Sequence, residues 1–152
     1  MLDNLQELID RYIDLSFSVH RKGESLIRDQ IGSDLTNDQH YILRYISQTK
    51  SCTSSELAEE FDVKKSAITA IINRMWEKGL IQRTRDEKDR RVVYLTLTDK
   101  GNQLYANCEE RIIKLVESFI KKFDPIEIKQ FIETYEKLNQ ILIESKEHKV
   151  EE

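Results

Sequence analysis

The stretch from Thr53 to Leu97 constrains the fold most, because its local signals admit one order of elements: helix, three-residue turn, helix, hairpin. Thr53-Ser54-Ser55-Glu56 is a reciprocal cap, in which a hydroxyl and a carboxylate three residues apart satisfy each other's free backbone N–H. Leu57, Ala58 and Phe61 supply the apolar side of the helix it opens, and Asp62-Val63-Lys64 turns the chain. The spacing predicts a second helix from about Lys65 to Lys78, with Ile68, Ile71, Ile72 and Met75 on one face and Gly79 as its C-cap. The face left over carries Lys65, Ser66, Thr69, Ala70, Asn73 and Arg74. These are short hydroxyls and amides among cations, side chains able to enter a major groove and bond base edges. Two alternating runs follow, Ile81 to Arg85 and Val92 to Leu97, joined by Asp86-Glu87-Lys88-Asp89-Arg90-Arg91. A short hairpin tipped with arginine has the shape and charge to straddle a phosphate backbone and reach a minor groove.

Charge supports the same reading once it is located. The 152-residue chain has a formal charge of −4, which taken alone argues against a polyanionic partner. Between Val63 and Arg91, however, nine Lys or Arg stand against four acids, a local +5 that leaves −9 for the remainder. A basic working surface on an acidic body is an electrostatic footprint for nucleic acid that the whole-chain balance hides. With 39% hydrophobic residues the chain can bury a core, and one Pro and four Gly among 34% charged residues favour long solvated helices over sheet.

Residues 53–101 resemble the winged helix-turn-helix of the MarR family of bacterial transcription regulators. The matching pieces are Ser55-Glu56-Leu57-Ala58, Ser66-Ala67-Ile68-Thr69, Asn73-Arg74-Met75 and Glu77-Lys78-Gly79-Leu80-Ile81. The wing follows as Asp86 to Arg91, and the exit as Leu97-Thr98-Asp99-Lys100-Gly101. The ordered set carries the resemblance, which extends over nearly the whole chain. Two positions depart from the pattern. Lys64 stands where the family commonly has a small capping residue, which weakens the cap and adds a positive charge. Asn73 stands where an Asp usually precedes the Arg-Leu pair, which removes a carboxylate.

The flanks are helical by periodicity. Leu5, Leu8, Ile9, Tyr12, Ile13, Phe17, Leu26 and Ile27 predict a long amphipathic helix from Leu2 to about Gln30, which Gly23 can loosen. Ile31-Gly32-Ser33-Asp34 reads as a turn, and Thr36-Asn37-Asp38-Gln39 as a second capping box opening a helix through Gln48. After the hairpin, Thr98 caps a helix to about Phe123, and Asp124-Pro125 restarts the chain in a last helix with an apolar stripe from Ile128 to Leu142. Three long striped helices exceed what the small central core can cover. At roughly 25 cal/mol per Å² their exposure would cost many kcal/mol, so a homodimer through the first helix and the last two is expected. The expected class is therefore mainly α with a small β wing, a winged helix-turn-helix lobe on a helical dimerisation body. Its parts are an N-terminal dimerisation helix (1–34), the DNA-binding domain (35–98), C-terminal dimerisation helices (99–146) and a frayed tail (147–152).

A twofold dimer presents its reading helices about 34 Å apart and so expects a palindromic operator. Lys64, Lys65, Ser66, Thr69, Ala70, Asn73 and Arg74 are the candidate contacts of the reading helix, and Thr53, Ser54 and Ser55 sit where a helix start holds phosphate. The resemblance implies a wing arginine in the minor groove held by an aspartate. Spacing leaves Arg90 and Arg91 both open, with Asp89 or Asp86 as partner and Lys88 beside them. It also implies repression relieved by a small, often aromatic effector, for which Tyr12, Phe17, His20, Tyr41 and Tyr45 are candidate lining residues.

The resemblance extends to members that sense peroxide through a cysteine near the N-terminus of the first helix, and no Cys precedes Cys52 here, so that switch is not expected. Cys52 is a candidate thiol switch and Cys108 a packing residue. His20, His40 and His148 are scattered and carry no metal spacing. No phosphate loop, nucleophile elbow or Cys pair points to an enzyme or to a cofactor. No leader or long apolar run is read, so a cytoplasmic, membrane-free location is expected. The competing class is a winged-helix dimer that binds protein and not DNA, against which the basic wing argues.

Overall fold

Both sequence-read capping boxes are formed, and they set the frame of the molecule. In the computed structural model, which describes residues 2–32 and 34–150, the Thr36 hydroxyl accepts from Gln39 N and the Gln39 side chain returns the bond to Thr36 N. Thr53 and Glu56 do the same. The elements in order are α1 (Leu2–Ile31), α2 (Asn37–Thr49), α3 (Ser54–Glu60), α4 (Lys65–Glu77), β1 (Ile81–Arg85), β2 (Val93–Leu97), α5 (Asp99–Ile120) and α6 (Pro125–Val150). α1 passes through Gly23 without a break. Of the turn expected after it, Ser33 lies outside the described residues. α6 stays helical through 147–150, and Glu151 and Glu152 lie outside the described residues.

The chain divides into two compact units, Met1–Ile112 and Ile113–Glu152. In the first, Ile42, Leu43 and Ile46 of α2, Leu57 of α3 and Ile68, Ile72 and Met75 of α4 are all at or below 1% exposure. They close on Leu80, Ile81 and Leu95 from the antiparallel hairpin, whose register pairs Ile81 with Leu97 and Arg85 with Val93. Cys52 adds an isolated bridge to Leu95, exchanging backbone bonds of 3.2 and 2.7 Å. Arg111 of α5 donates to the Gln30 carbonyl of α1 (3.0 Å), and Asn37 Nδ2 to that of Glu24 (3.2 Å).

In the second unit, α6 begins at Pro125, where a missing N–H costs nothing, and none of its described side chains is buried. Phe131 and Tyr135 stack on one another at 5.4 Å and stay exposed, as do Ile126, Ile132, Ile141 and Leu142. Within the first unit Leu5, Leu8, Tyr12, Ile13, Phe17 and Val19 of α1 are likewise at least half exposed. Each unit therefore leaves an apolar stripe in water when the chain is single.

α5 is tied to α2 by a polar joint that spacing alone did not reveal. Arg44 and Glu109 form an ion pair, and His40, 2% exposed, holds its Nε2 3.4 Å from the same carboxylate. The imidazole stacks on Tyr105 (6.1 Å) and meets Tyr41 edge-on (5.5 Å). Burial pushes the His40 pKa below its usual 6.5, against the pull of Glu109 and with a smaller push from Arg44. The unfolded chain thus takes up the proton first, so stability is complete above about 6.5 and is lost as the pH falls through the folded value. Urea unfolding at pH 7.5 and at pH 5 should show an acid-induced loss that shrinks in His40→Leu. Equal losses in the two proteins would move the acid sensitivity elsewhere.

Candidate nucleic-acid interface

The turn between α3 and α4 works because Asp62 adopts a left-handed conformation (φ 53°), after which Val63 N donates to Ala58 O (3.0 Å). α4 then starts at Lys65 with Lys64 as its N-cap, and no side chain caps it, as the Lys64 departure implied. Lys64, Lys65, Ser66, Thr69, Ala70, Asn73 and Arg74 are all exposed, while Ile68, Ile72 and Met75 are buried beneath them. The Thr69 hydroxyl proton is spent on the Lys65 carbonyl (2.8 Å), leaving its oxygen lone pairs and methyl outward. Thr53 and Ser54 are half-buried and Ser55 is exposed at the start of α3.

The hairpin tip is ordered by its acids. Asp86 Oδ1 accepts from Lys88 N (2.8 Å) and Asp89 N (3.3 Å), folding 86–89 into a tight turn. Asp89 in turn accepts from Arg91 N, Nε and Nη2 at 3.1, 3.1 and 3.3 Å. These bonds hold the Asp89 carboxyl below the usual carboxylate range. Arg91 is thus held at its backbone N and along one edge of its guanidinium with its side chain 92% exposed, whereas Arg90 has an open side chain and its carbonyl accepts from Arg85 Nη1 (3.0 Å). The two arginines that spacing left equivalent are physically different: the aspartate holds Arg91.

Arg83, Trp76, Arg44 and Glu109 were not singled out from the sequence. For Arg83 a signal existed: alternation puts it on the same face of β1 as buried Ile81, opposite Leu95, so its side chain must run along α4. There its Nη2 donates to Asn73 Oδ1 and its guanidinium lies over the Trp76 ring at 5.5 Å.

The aromatic candidates lie on α1 and α2, each with neighbours of its own. Tyr12, Phe17 and His20 stand exposed on α1, with Arg21 over Phe17 (5.6 Å) and Glu24 beside His20 (3.4 Å). Tyr41 edges His40, and Tyr45 packs edge-on against Phe61 (6.3 Å). Two surface hollows, of about 380 and 580 Å³, involve none of these five. The first is bordered by Glu24, Arg28 and Thr36, the second by Lys78, Lys100 and Leu104. Cys52 is buried, and desolvation with Glu56 nearby pushes its pKa up to about 12, so the thiol stays protonated and unreactive at neutral pH. Burial raises Cys108 as well. Among the described residues no three His, Cys, Asp or Glu converge as a metal site, and no helix is long and apolar enough to cross a membrane.

The profile of the MarR family matches residues 35–93, and the HTH-type transcriptional regulator YwhA of Bacillus subtilis, itself uncharacterised, is 30% identical over 106 residues. That alignment spans 70% of this chain and 76% of YwhA. The chain belongs to the MarR family. Another relative, the HTH-type transcriptional repressor MdtR of Bacillus subtilis, is 43% identical over 68 residues, 45% of this chain and 44% of MdtR. A cysteine-to-serine mutant of E. coli MarR, solved in complex with operator DNA, superposes with a TM-score of 0.76 at 23% identity, over 86% of this chain and 94% of that one, and shows the shared fold. This MarR-family chain is a DNA-binding regulator of transcription, and its family and relatives are regulators rather than enzymes.

Proposed function

We propose that the chain works as a homodimeric repressor of palindromic operators, released by a small-molecule effector. The observation that carries the reading is the pairing, on one lobe, of an exposed polar face on α4 with an arginine presented by Asp89 at the hairpin tip. Lys65, Ser66, Thr69, Ala70 and Arg74 read base edges in the major groove, with Asn73 beside them. Thr53, Ser54, Ser55, Lys64 and Lys88 hold backbone phosphates, and Arg90 joins them. Arg91 enters the minor groove, with Asp89 orienting its guanidinium from one edge and Asp86 fixing the turn. Repression is supported by the likeness to MdtR, a repressor.

The exposed stripes on α1 and α6 support dimerisation. With about 1.5–3 kcal/mol for each large apolar side chain buried, a handful from each protomer suffices for a stable pair. Residues 35–98 then form the reading domain, and 1–34 with 99–146 form the dimer body. An effector acts by binding one separation of the two lobes better than another.

Anisotropy titration of labelled duplex, with sedimentation of the free protein, tests the reading. A dimer whose duplex affinity falls steeply with salt is expected. A monomer, or salt-indifferent binding, would remove it.

A further inference from the structure

On α4, Lys65, Thr69, Asn73 and Trp76 follow one another at spacings of four, four and three, and so form a single ridge along the exposed side. Lys65 and Thr69 occupy its first half. The second half is closed by a side chain from the neighbouring strand, since Arg83 reaches across to Asn73 and Trp76. We propose that Arg83, held by the Asn73 carboxamide and the Trp76 ring, is a further DNA contact that grips a backbone phosphate between the reading helix and the wing. This rests on the DNA-binding reading and extends the contact surface to a strand.

Three observations carry it. The first is charge. Among the described residues no carboxylate pairs with Arg83; its side-chain partner is a neutral amide, so the full positive charge faces outward. An aspartate at 73 would occupy that fork and cancel it. The second is exposure. Trp76 is 53% exposed on a helix whose Ile68, Ile72 and Met75 are at or below 1%. An indole left at the surface with a guanidinium above it is what orients a planar cation without neutralising it. The third is position. Arg83 lies at mid-strand in β1, between α4 and the Asp86–Arg91 tip, the two elements that the DNA must touch together. A guanidinium already fixed there loses little further freedom when a phosphate arrives, and at least three of its five N–H groups stay available.

The test uses a random-sequence duplex, because a phosphate contact is indifferent to sequence. Arg83→Gln should weaken binding roughly three- to tenfold near physiological salt and make the slope of log K against log salt shallower by about one for each phosphate released. Asn73→Asp should also weaken binding while the unfolding midpoint holds, and it should weaken it less in the Arg83→Gln background, where only the repulsion between the new carboxylate and the DNA is left. Wild-type slope and affinity in Arg83→Gln, with binding still abolished on reversing Arg90 and Arg91, would overturn the role of Arg83 and leave the DNA reading standing. A wild-type protein that fails to bind duplex would overturn both. Asn73→Asp as damaging with Gln at 83 as with Arg there would remove the claim that Asn73 acts by leaving the charge of Arg83 uncompensated.

Discussion

Replacing Gly101 by alanine should destabilise the protein more than any exposed substitution, by about 3–5 kcal/mol. A Cβ at this position would stand 2.1 Å from the Leu80 carbonyl oxygen, 3.1 Å from its carbon and 3.3 Å from its Cα. The obstruction is backbone, and that backbone is pinned on both sides. Leu80 N donates to Met75 O (3.0 Å) as α4 ends, and Leu80 O accepts from Thr98 N (3.0 Å) as the hairpin closes. Gly101 N is itself capped by the Thr98 hydroxyl at 3.0 Å. Relief by moving either segment therefore breaks a helix exit, a strand exit or a helix cap, and Leu80 is a core residue at 1% exposure. Against a total stability of roughly 5–15 kcal/mol, this removes a large fraction. Gly23→Ala supplies the control: nothing lies within 4 Å of the added carbon, and alanine in a helix interior gains about 0.5–1 kcal/mol. Urea midpoints that fall sharply for Gly101→Ala and hold or rise for Gly23→Ala are expected. A Gly101→Ala midpoint near wild type would mean that the α4–hairpin–α5 corner is loose.

Features resting on a few adjacent residues were legible in the sequence. The Thr36 and Thr53 boxes, the Thr98 cap, the uncapped Lys64 and the hairpin all follow from groups within three or four positions of one another. Boundaries shifted where a turn competed for a residue. β2 begins at Val93 because Val92 N is taken by Asp89 O within the turn, while Val92 O still accepts from Asp86 N in register with the strands. α5 stops at Ile120, short of Phe123, where Lys122 and Phe123 turn back onto Phe119 and Ile120 with bonds of 3.0 and 3.1 Å. Other pairings were invisible because their partners are remote or share no period. Arg44 and Glu109 are 65 positions apart, and the bridge from Cys52 to Leu95 depends on how the hairpin folds back. The aromatic residues nominated for an effector cleft illustrate the limit. Period 3.6 says which side of a helix a tyrosine faces but not what faces it, and Tyr45 faces Phe61.

Reversing the charge of both wing arginines, Arg90→Glu with Arg91→Glu, should lower duplex affinity by at least about a hundredfold near physiological salt while leaving the fold intact. The change takes the stretch from Val63 to Arg91 from +5 to +1 in each protomer, and in a dimer the deficit is doubled. Stability should hold, since both side chains are exposed and the clamp on Arg91 is a surface ion pair, a class worth little to folding. The single variants sharpen the expectation. Three N–H groups tie Arg91 to Asp89, two of them from its guanidinium, so that head is already oriented in the free protein, and Arg91→Gln should cost more than Arg90→Gln. Asp89→Asn should reproduce part of the Arg91 loss even though it removes a negative charge from a DNA-binding surface. Simple electrostatics predicts the opposite sign for that substitution, a gain in affinity. The sign of the Asp89→Asn effect, read by anisotropy at fixed ionic strength, therefore decides whether the carboxylate orients Arg91 or merely offsets it.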